Sequence, residues 1–218
     1  MVKRIDYQRY FYWLSLFTFL LAACRGEQPV PTTTVPEGWA QVETPEFILW
    51  LPVTWEAHVI TAENASGELE AMRKINPQLA MNLRDSSAIQ GISLWAYDAA
   101  VSVSEFHDNL NVFHMSLGGE QVDDLQSVLD LLVEEYARGG AEVTESEQFR
   151  VEDYPALKIA YNFPIPGSVG EAARLEGRQY FFVAGDNIWI LSFTLDPAHL
   201  GDMSAVVERC AESFRALE

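Results

Sequence analysis

One short segment, residues 188–195, is apolar on both faces of a strand, and this pattern decides which kind of sheet can contain it. Side chains alternate between the two faces along a strand. A strand that is apolar on both sides requires a sheet with covering layers on both faces. Residues 47–51 show the same two-sided pattern. In the C-terminal segment, one face would carry Ile188 and Ile190, and the other Trp189, Leu191, Phe193 and Leu195.

The rest of the chain beyond residue 38 predicts further short strands and a few amphipathic helices. Residues 39–43 and 47–51 form an expected opening hairpin, and Gly185, Asp186 and Asn187 mark a second tight turn. Because the strands mostly follow one another through short turns, the sheet is expected to be largely antiparallel. The predicted fold class is therefore α/β in the α+β sense, an α/β/α sandwich with helices on both faces. Further strands are predicted at residues 88–97, 109–117, 157–163 and 174–183.

Three stretches have the apolar spacing of helices. Residues 63–87 begin with a stripe of apolar residues at helical spacing, and Asn76 with Pro77 would start a second short helix. Residues 121–138 are expected to form the longest helix, closed by Gly139 and Gly140. A last helix is predicted from Asp202 onward. Its apolar face would carry Met203, Val206, Val207, Cys210, Phe214 and Leu217.

The first 24 residues have the pattern of an export signal. Three basic residues precede an apolar run over residues 10–24, which is short for a membrane-spanning helix. The run ends in Leu21-Ala22-Ala23-Cys24, which resembles the lipobox of bacterial lipoproteins. This resemblance implies that residues 1–23 are removed and that Cys24 carries the lipid, so the expected location is extracytoplasmic, at a membrane surface. An ordinary signal peptide or an uncleaved anchor is the alternative.

The chain after residue 23 divides into a linker and one domain. Residues 24–38 are rich in proline and threonine and lack large apolar side chains other than valine, whereas residues 39–218 have the length of a single domain. The formal charge is -18 for the whole chain and +2 for residues 1–23, which leaves -20 for the mature part. Such a charge argues against nucleic acid as a partner and favours cations or basic proteins. The alternative is that acidity suits an extracytoplasmic environment.

Catalytic motifs are not evident, and the expected molecule is not an enzyme and holds no cofactor. The sequence has no Gly-x-Ser-x-Gly or Ser-x-x-Lys pattern, and Cys210 lies on a predicted buried helix face. The four histidines, His58, His107, His114 and His199, with Asp108 beside His107, lack metal-ligand spacing, so no metal site is predicted.

One loop is a candidate for partner contact. Residues 164–170 are longer than a tight hairpin, and Ile165, Pro166 and Val169 are apolar residues expected at the surface. A mobile connection without a binding role is the alternative.

The order of these motifs resembles the PsbP/Mog1 family. The resemblance rests on residues 47–52 followed by Trp55, one long middle helix, Tyr180-Phe181-Phe182, the hairpin at residues 185–191, and Ser213-Phe214-Arg215 in the last helix. It implies a non-catalytic binding or assembly module that recruits an envelope protein or a small ligand. Two alternatives stay open: an envelope enzyme whose site is dispersed in the sequence, and a cation- or solute-binding lipoprotein.

Overall fold

Ten strands and three α-helices make up the part of the chain that the computed structural model describes, residues 34–77, 91–101, 106–118, 124–151, 154–164 and 174–217. The helices are α1 (Ala65–Ile75), α2 (Leu125–Arg138) and α3 (Leu200–Ser213), with a 3₁₀ turn at Pro197–His199. The strands are β1 (Trp39–Glu43), β2 (Phe47–Pro52), β3 (Trp55–Val59), β4 (Ile92–Asp98), β5 (Asn109–Ser116), β6 (Glu142–Val151), β7 (Tyr154–Pro164), β8 (Arg174–Ala184), β9 (Asn187–Leu195) and β10 (Arg215–Ala216).

The strands form two antiparallel sheets. The large sheet has the order β3-β4-β5-β9-β8-β7-β6, and the small sheet has the order β1-β2-β10. Every pair of neighbouring strands in both sheets is antiparallel. The β8–β9 turn is tight, and Gly185 takes a positive φ of 56° there, a conformation that glycine adopts without a steric penalty. The predicted fold class, mostly antiparallel with helices on both faces, is confirmed.

Strand β9 lies inside the large sheet and has buried residues on both sides, as its sequence predicts: Leu191 and Phe193 on one side and Ile190 on the other. On the side of Ile190, Ser192 and Thr194 are partly exposed. We call face A the side of the sheet that carries Leu191 and Phe193, and face B the side that carries Ile190. Face A packs against the small sheet and α3, through Phe47, Val207 and Phe214 among others. Face B packs against α1 and α2, which contact separate groups of strand residues.

Strand β2 differs from its prediction. Its residues Phe47, Leu49 and Leu51 are fully buried, whereas the alternate side chains, Ile48 and Trp50, are only partly buried. The reason is that β2 belongs to the small sheet, which covers face A, rather than to the doubly covered sheet.

Two helices have other limits than the sequence predicts. Helix α2 begins at Leu125 and not at residue 121, because the Asp124 carboxylate accepts hydrogen bonds from the backbone N–H groups of residues 126 and 127 and caps the first turn. Helix α3 ends at Ser213, and Arg215 and Ala216 pair with β2 instead of continuing the helix. Pro77 is described but the residues that follow it are not, so the second short helix predicted after Asn76 lies outside the described residues.

Strand β6 was not predicted, and a buried lysine of the neighbouring strand links it to α3. Lys158 of β7 is buried on face A, and its Nζ lies 3.1 Å from Glu145 Oε1 of β6 and 2.8 Å from Glu208 Oε1 of α3. Burial alone would lower the pKa of Lys158, but the two glutamates outweigh burial and raise the pKa. The lysine thus joins the edge strand to the helix that covers face A.

No helix in the described ranges is long and apolar enough to cross a membrane.

Candidate functional site

The residues predicted to contact the membrane and a partner cannot be placed. Cys24 and the loop residues Ile165, Pro166 and Val169 lie outside the described residues. Cys210 is described, and it is fully buried in the core beneath face A, where burial raises the pKa of its thiol. A thiol in this position is a packing residue rather than a nucleophile.

His107 and Asp108 lie at the start of β5, and their neighbours hold them firmly. His107 Nδ1 is 2.7 Å from the carbonyl oxygen of Asp98. The side chain of Asn76, just after α1, accepts from the backbone N–H of His107 and donates to its carbonyl. These contacts fasten the end of α1 to the sheet, so His107 has a structural role.

Asp108 forms a pair with His199, although the two residues are 91 positions apart. Asp108 is buried, its Oδ2 lies 3.0 Å from His199 Nδ1, and its Oδ1 accepts a hydrogen bond of 2.7 Å from the backbone N–H of Asp196. Burial raises the pKa of the Asp108 carboxyl, and the contacts with Asp196 and His199 offset this only in part. A carboxylate that orients an imidazole also occurs in catalytic triads. Here the same carboxylate ties the end of β9 to the turn before α3.

The other two histidines pack in separate places. His58 stacks on Trp95 with ring centroids 4.7 Å apart, and its Nδ1 lies 3.1 Å from Glu68 of α1. His114 packs against Trp189 instead. Within the described ranges, no group of three or more His, Cys, Asp or Glu side chains is arranged to hold a metal ion.

Face B carries a group of uncharged polar side chains in the middle of the large sheet, which we call the polar band. Its members lie on three adjacent strands, in two rows across the sheet. In one row Asn111 is paired with Ser192, which is paired with Gln179, and in the other row Asn109 is paired with Thr194. All except Asn109 are partly exposed. The polar band consists of Asn109, Asn111, Gln179, Ser192 and Thr194.

The hydrogen bonds within the polar band donate in the same direction, from β8 to β9 and then along β5, and this series is interrupted between Ser192 and Asn111. Asn109 donates to the His107 carbonyl at 3.2 Å, and Asn111 Nδ2 donates to Asn109 Oδ1 at 3.5 Å. From the other end, Gln179 Nε2 donates to Ser192 Oγ at 2.9 Å. Asn111 Oδ1 is buried and accepts no hydrogen bond from any residue that the structure describes. The two series of hydrogen bonds therefore end at Asn111 and Ser192, which are paired on neighbouring strands.

Aromatic side chains flank the polar band on both sides. On the α1 side, Trp95 and Tyr97 of β4 stack with ring centroids 5.1 Å apart. Burial raises the pKa of Tyr97 most, and the hydrogen bond to Glu56 adds to it, which brings the pKa to about 12. This phenol therefore keeps its proton at neutral pH. On the α2 side, Tyr136 stacks on Tyr161 and donates a hydrogen bond to Gln179. The polar band thus lies between two pairs of stacked aromatic rings.

The side chains of the polar band can form hydrogen bonds, but they have little capacity for proton transfer. Amides and hydroxyls donate and accept hydrogen bonds without titrating near neutral pH. Sequence reasoning did not identify this group, although a signal exists: on face B, β9 changes from Ile188 and Ile190 to Ser192 and Thr194. This change coincides with the end of the part of β9 that packs against α2.

Comparison with known proteins gives the fold. Neither a protein-family profile nor a curated protein sequence matches the chain. Among solved structures, cyanobacterial PsbP (CyanoP) from Synechocystis sp. PCC 6803 matches 88% of this chain over 100% of its own, with 10% identity and a TM-score of 0.54. The chain has a PsbP/Mog1-like fold.

Two further structures with this PsbP/Mog1-like fold are similar. LpqN of Mycobacterium tuberculosis, which is involved in cell envelope biogenesis, matches 83% of this chain over 91% of its own, with 8% identity and a TM-score of 0.52. The Saccharomyces cerevisiae Ran-binding protein Mog1p matches 83% over 96%, with 8% identity and a TM-score of 0.50. At these identities the likeness concerns the fold alone.

Proposed function

We propose that this protein is a lipid-anchored extracytoplasmic binding module that holds an envelope protein or a small ligand and does not transform it. The observation that carries the proposal is the polar band. It places uncharged hydrogen-bonding side chains, four of the five partly exposed, in the middle of the large sheet between two pairs of stacked aromatic rings. A binding site is typically built in this way, with a few polar groups set among apolar ones.

The similar structures support a binding role by analogy. One of them is a Ran-binding protein and another is involved in cell envelope biogenesis. Because fold similarity alone does not transfer function, the analogy supports the class of activity and not a particular partner.

The N-terminal sequence supports attachment to a membrane through Cys24. A diacylglycerol on this cysteine would supply two acyl chains, which is enough for stable anchoring without a basic patch. The linker of residues 24–38 would let the domain reach roughly 40 Å from the surface if extended. The strongly acidic mature chain would be repelled by anionic headgroups, so the domain would face away from the bilayer.

One observation favours the alternative of an envelope enzyme, namely the Asp108–His199 pair. A buried carboxylate that orients an imidazole is a component of several hydrolytic sites. The pair also has a sufficient structural reason, because the Asp108 carboxylate fixes the backbone of Asp196. We therefore favour the binding role.

The anchor is tested by Cys24→Ala in a bacterial host. We expect wild-type protein to enter the detergent phase and the variant to appear as a soluble or uncleaved protein, because the lipid holds the domain at the membrane. Detergent phase partitioning and N-terminal mass analysis measure this outcome. A variant that is still processed and still membrane-bound would overturn the anchoring proposal.

The binding role is tested by thermal unfolding of the lipidated full chain in detergent, with envelope extracts separated into protein, glycan and lipid fractions. A ligand at 100 times its Kd stabilises the folded state by about 2.7 kcal/mol. For a domain of this size each kcal/mol raises Tm by roughly 2–4 °C, so one fraction should raise Tm by several degrees without being consumed. If no fraction raises Tm, the proposal is wrong.

A further inference from the structure

We infer that the outer edge of strand β3 binds an extended, basic segment of a partner protein as an additional strand of the large sheet. This inference rests on the proposed binding function and specifies that the partner is a protein. Strand β3 is an end strand in the order of the large sheet, and in the described part of the chain no other strand pairs with its outer side. Such an edge presents unpaired backbone N–H and C=O groups, to which an extended segment can add.

The pairing of β3 with β4 shows which backbone groups point outward. The backbone N–H of Ile60 donates to the carbonyl of Ser93 at 3.0 Å. At the other end of the strand, the N–H of Ala99 donates to the carbonyl of Thr54, also at 3.0 Å. Hydrogen-bonded and non-hydrogen-bonded positions alternate along an antiparallel pair. Since the register of β3 and β4 has no shift, the backbone groups of residues 55, 57 and 59 point away from β4.

The outward groups at residues 57 and 59 lie where the strand is exposed. Ala57 is exposed, and Val59 is 42% exposed. The Val59 carbonyl accepts a hydrogen bond of 2.9 Å from the side chain of Asn64. The N–H and C=O of Ala57 and the N–H of Val59 have no hydrogen-bond partner among the described residues. These three groups are therefore the ones with which the docked strand pairs.

The two edges of the large sheet differ in how they are protected. At the opposite edge, the pairing of β6 with β7 has a register shift, and β6 carries the exposed residues Glu142, Glu145 and Glu147. Charged side chains and irregular pairing on an edge strand hinder the addition of another strand. On β3 the residues at 55, 57 and 59 are uncharged, and the pairing with β4 is regular. Strand β3 thus lacks the features that protect β6.

The charge beside β3 selects a basic segment. The side chains of Ala57 and Val59 lie on face A, whereas Glu56 and His58 lie on face B. Glu56 is exposed, and Glu68 of α1 lies 3.1 Å from His58. Side chains alternate along the docked strand in the same way. Its residues opposite Ala57 and Val59 are therefore apolar, and the residues between them, beside Glu56, are basic. The acidic mature chain repels a second copy of itself, which favours a different protein as the partner.

The experiment titrates the lipidated full chain, in non-ionic detergent micelles, into the fluorescein-labelled peptide Thr-Lys-Val-Lys-Val-Lys-Thr and measures fluorescence polarisation. We expect this lysine peptide to bind and to slow hydrogen–deuterium exchange in residues 55–59. One control peptide has glutamates in place of the lysines. The other keeps the lysines but has N-methylated valines, which cannot donate to the Ala57 carbonyl. Each control peptide should bind at least about tenfold more weakly.

Two variants locate the site. Ala57→Pro removes an outward N–H without removing a hydrogen bond to β4, and proline is tolerated on an edge strand in this orientation. Val59→Lys places a positive charge on the exposed edge. Each variant should raise the Kd of the lysine peptide at least about tenfold. Ala57→Ser keeps the backbone N–H and is the matched control, which should leave the Kd unchanged. The Tm of each variant without peptide shows that it is folded.

Each other outcome overturns the inference in a recognisable way. If the lysine peptide does not bind at about 1 mM, a concentration at which even a weak specific site is occupied, but an envelope fraction raises Tm, the docked strand is wrong and the binding module stands. If no fraction raises Tm either, both proposals fail. If the N-methylated peptide binds as tightly as the lysine peptide, or both variants leave the Kd unchanged, binding does not occur by pairing with β3. If the glutamate peptide binds as tightly, charge does not select the partner and the inference is wrong.

Discussion

The packing of Tyr161 over Gly177 gives a sharp test of the side-chain arrangement on face B. These residues are directly paired on β7 and β8. A Cβ atom added to Gly177 would lie 2.3 Å from Cζ of the Tyr161 ring, well inside van der Waals contact. The ring cannot easily move away, because Tyr136 stacks on it at 4.3 Å between centroids. Gly177→Ala should therefore force a displacement of packed aromatic rings.

The expected cost follows from two opposing effects. Overpacking of a well-packed region typically costs about 1–3 kcal/mol. Against this, alanine removes the conformational penalty of a glycine inside a strand, which is about 0.5–1 kcal/mol. The net effect of Gly177→Ala should be a loss of roughly 0.5–2 kcal/mol in the free energy of unfolding. With Tyr161→Ala already present, the clash is absent and the same change should stabilise the domain.

A double-mutant cycle measured by urea unfolding separates these contributions. The wild type, the two single variants and the double variant should give a coupling free energy of at least about 1 kcal/mol. Gly67→Ala in α1 is the control, because an added Cβ there meets no atom within 4 Å. This control should be neutral or stabilising. Equal effects of Gly177→Ala with and without the Tyr161 ring would refute the packing described here.

Two further predictions concern the doubly covered sheet and the buried pair. Phe193→Ala on face A should lower the free energy of unfolding by about 3–5 kcal/mol, and Ile190→Ala on face B by about 2–5 kcal/mol, because both are core residues. Thermal unfolding measures both effects. A loss below about 0.5 kcal/mol at either site would contradict coverage of that face. For Asp108, the raised folded-state pKa means that its stabilising contribution is fully present below the unfolded pKa and is lost as pH rises through the folded pKa. The stability of the wild type relative to Asp108→Asn should thus fall as pH increases from about 4 upward, by at most about 1.4 kcal/mol per pH unit. A difference that rises with pH in denaturant titrations would show the reasoning to be wrong.

Much of the fold could be predicted because buried positions are occupied by apolar residues, whose spacing is visible in the sequence. The two-sided pattern of β9 requires a doubly covered sheet, and the turn at Gly185 fixes its pairing with β8. Helix α2 was expected from apolar spacing, but its first turn was placed too early. Apolar periodicity does not show at which residue a helix begins. The start at Leu125 is set by the Asp124 side chain, which caps the first turn, and this depends on the local backbone conformation.

Strand β6 and the candidate site could not be predicted, for different physical reasons. Strand β6 is an exposed edge, rich in polar and charged residues that are common on unpaired edges, so it lacks an apolar alternation. The pair Asp108–His199 joins residues 91 positions apart, and no local pattern indicates such a contact. The polar band combines three strands whose register is set by the whole sheet, although the change along β9 is visible in the sequence.

The position of the polar band follows from how the described helices divide face B. Helix α1 packs on Trp95 and Tyr97 of β4, and α2 packs on residues of β7, β8 and the first half of β9, including Ile190. Between these two contacts lie the ends of β5 and β9 that carry the band. An apolar sequence there would need further cover, because exposed apolar area in a sheet centre is costly to leave in water. The chain instead carries Asn111 and Ser192 at this position, which remain partly exposed. Because amide and hydroxyl side chains can remain in water at little cost, this end of the sheet allows α1 and α2 to contact separate parts of face B.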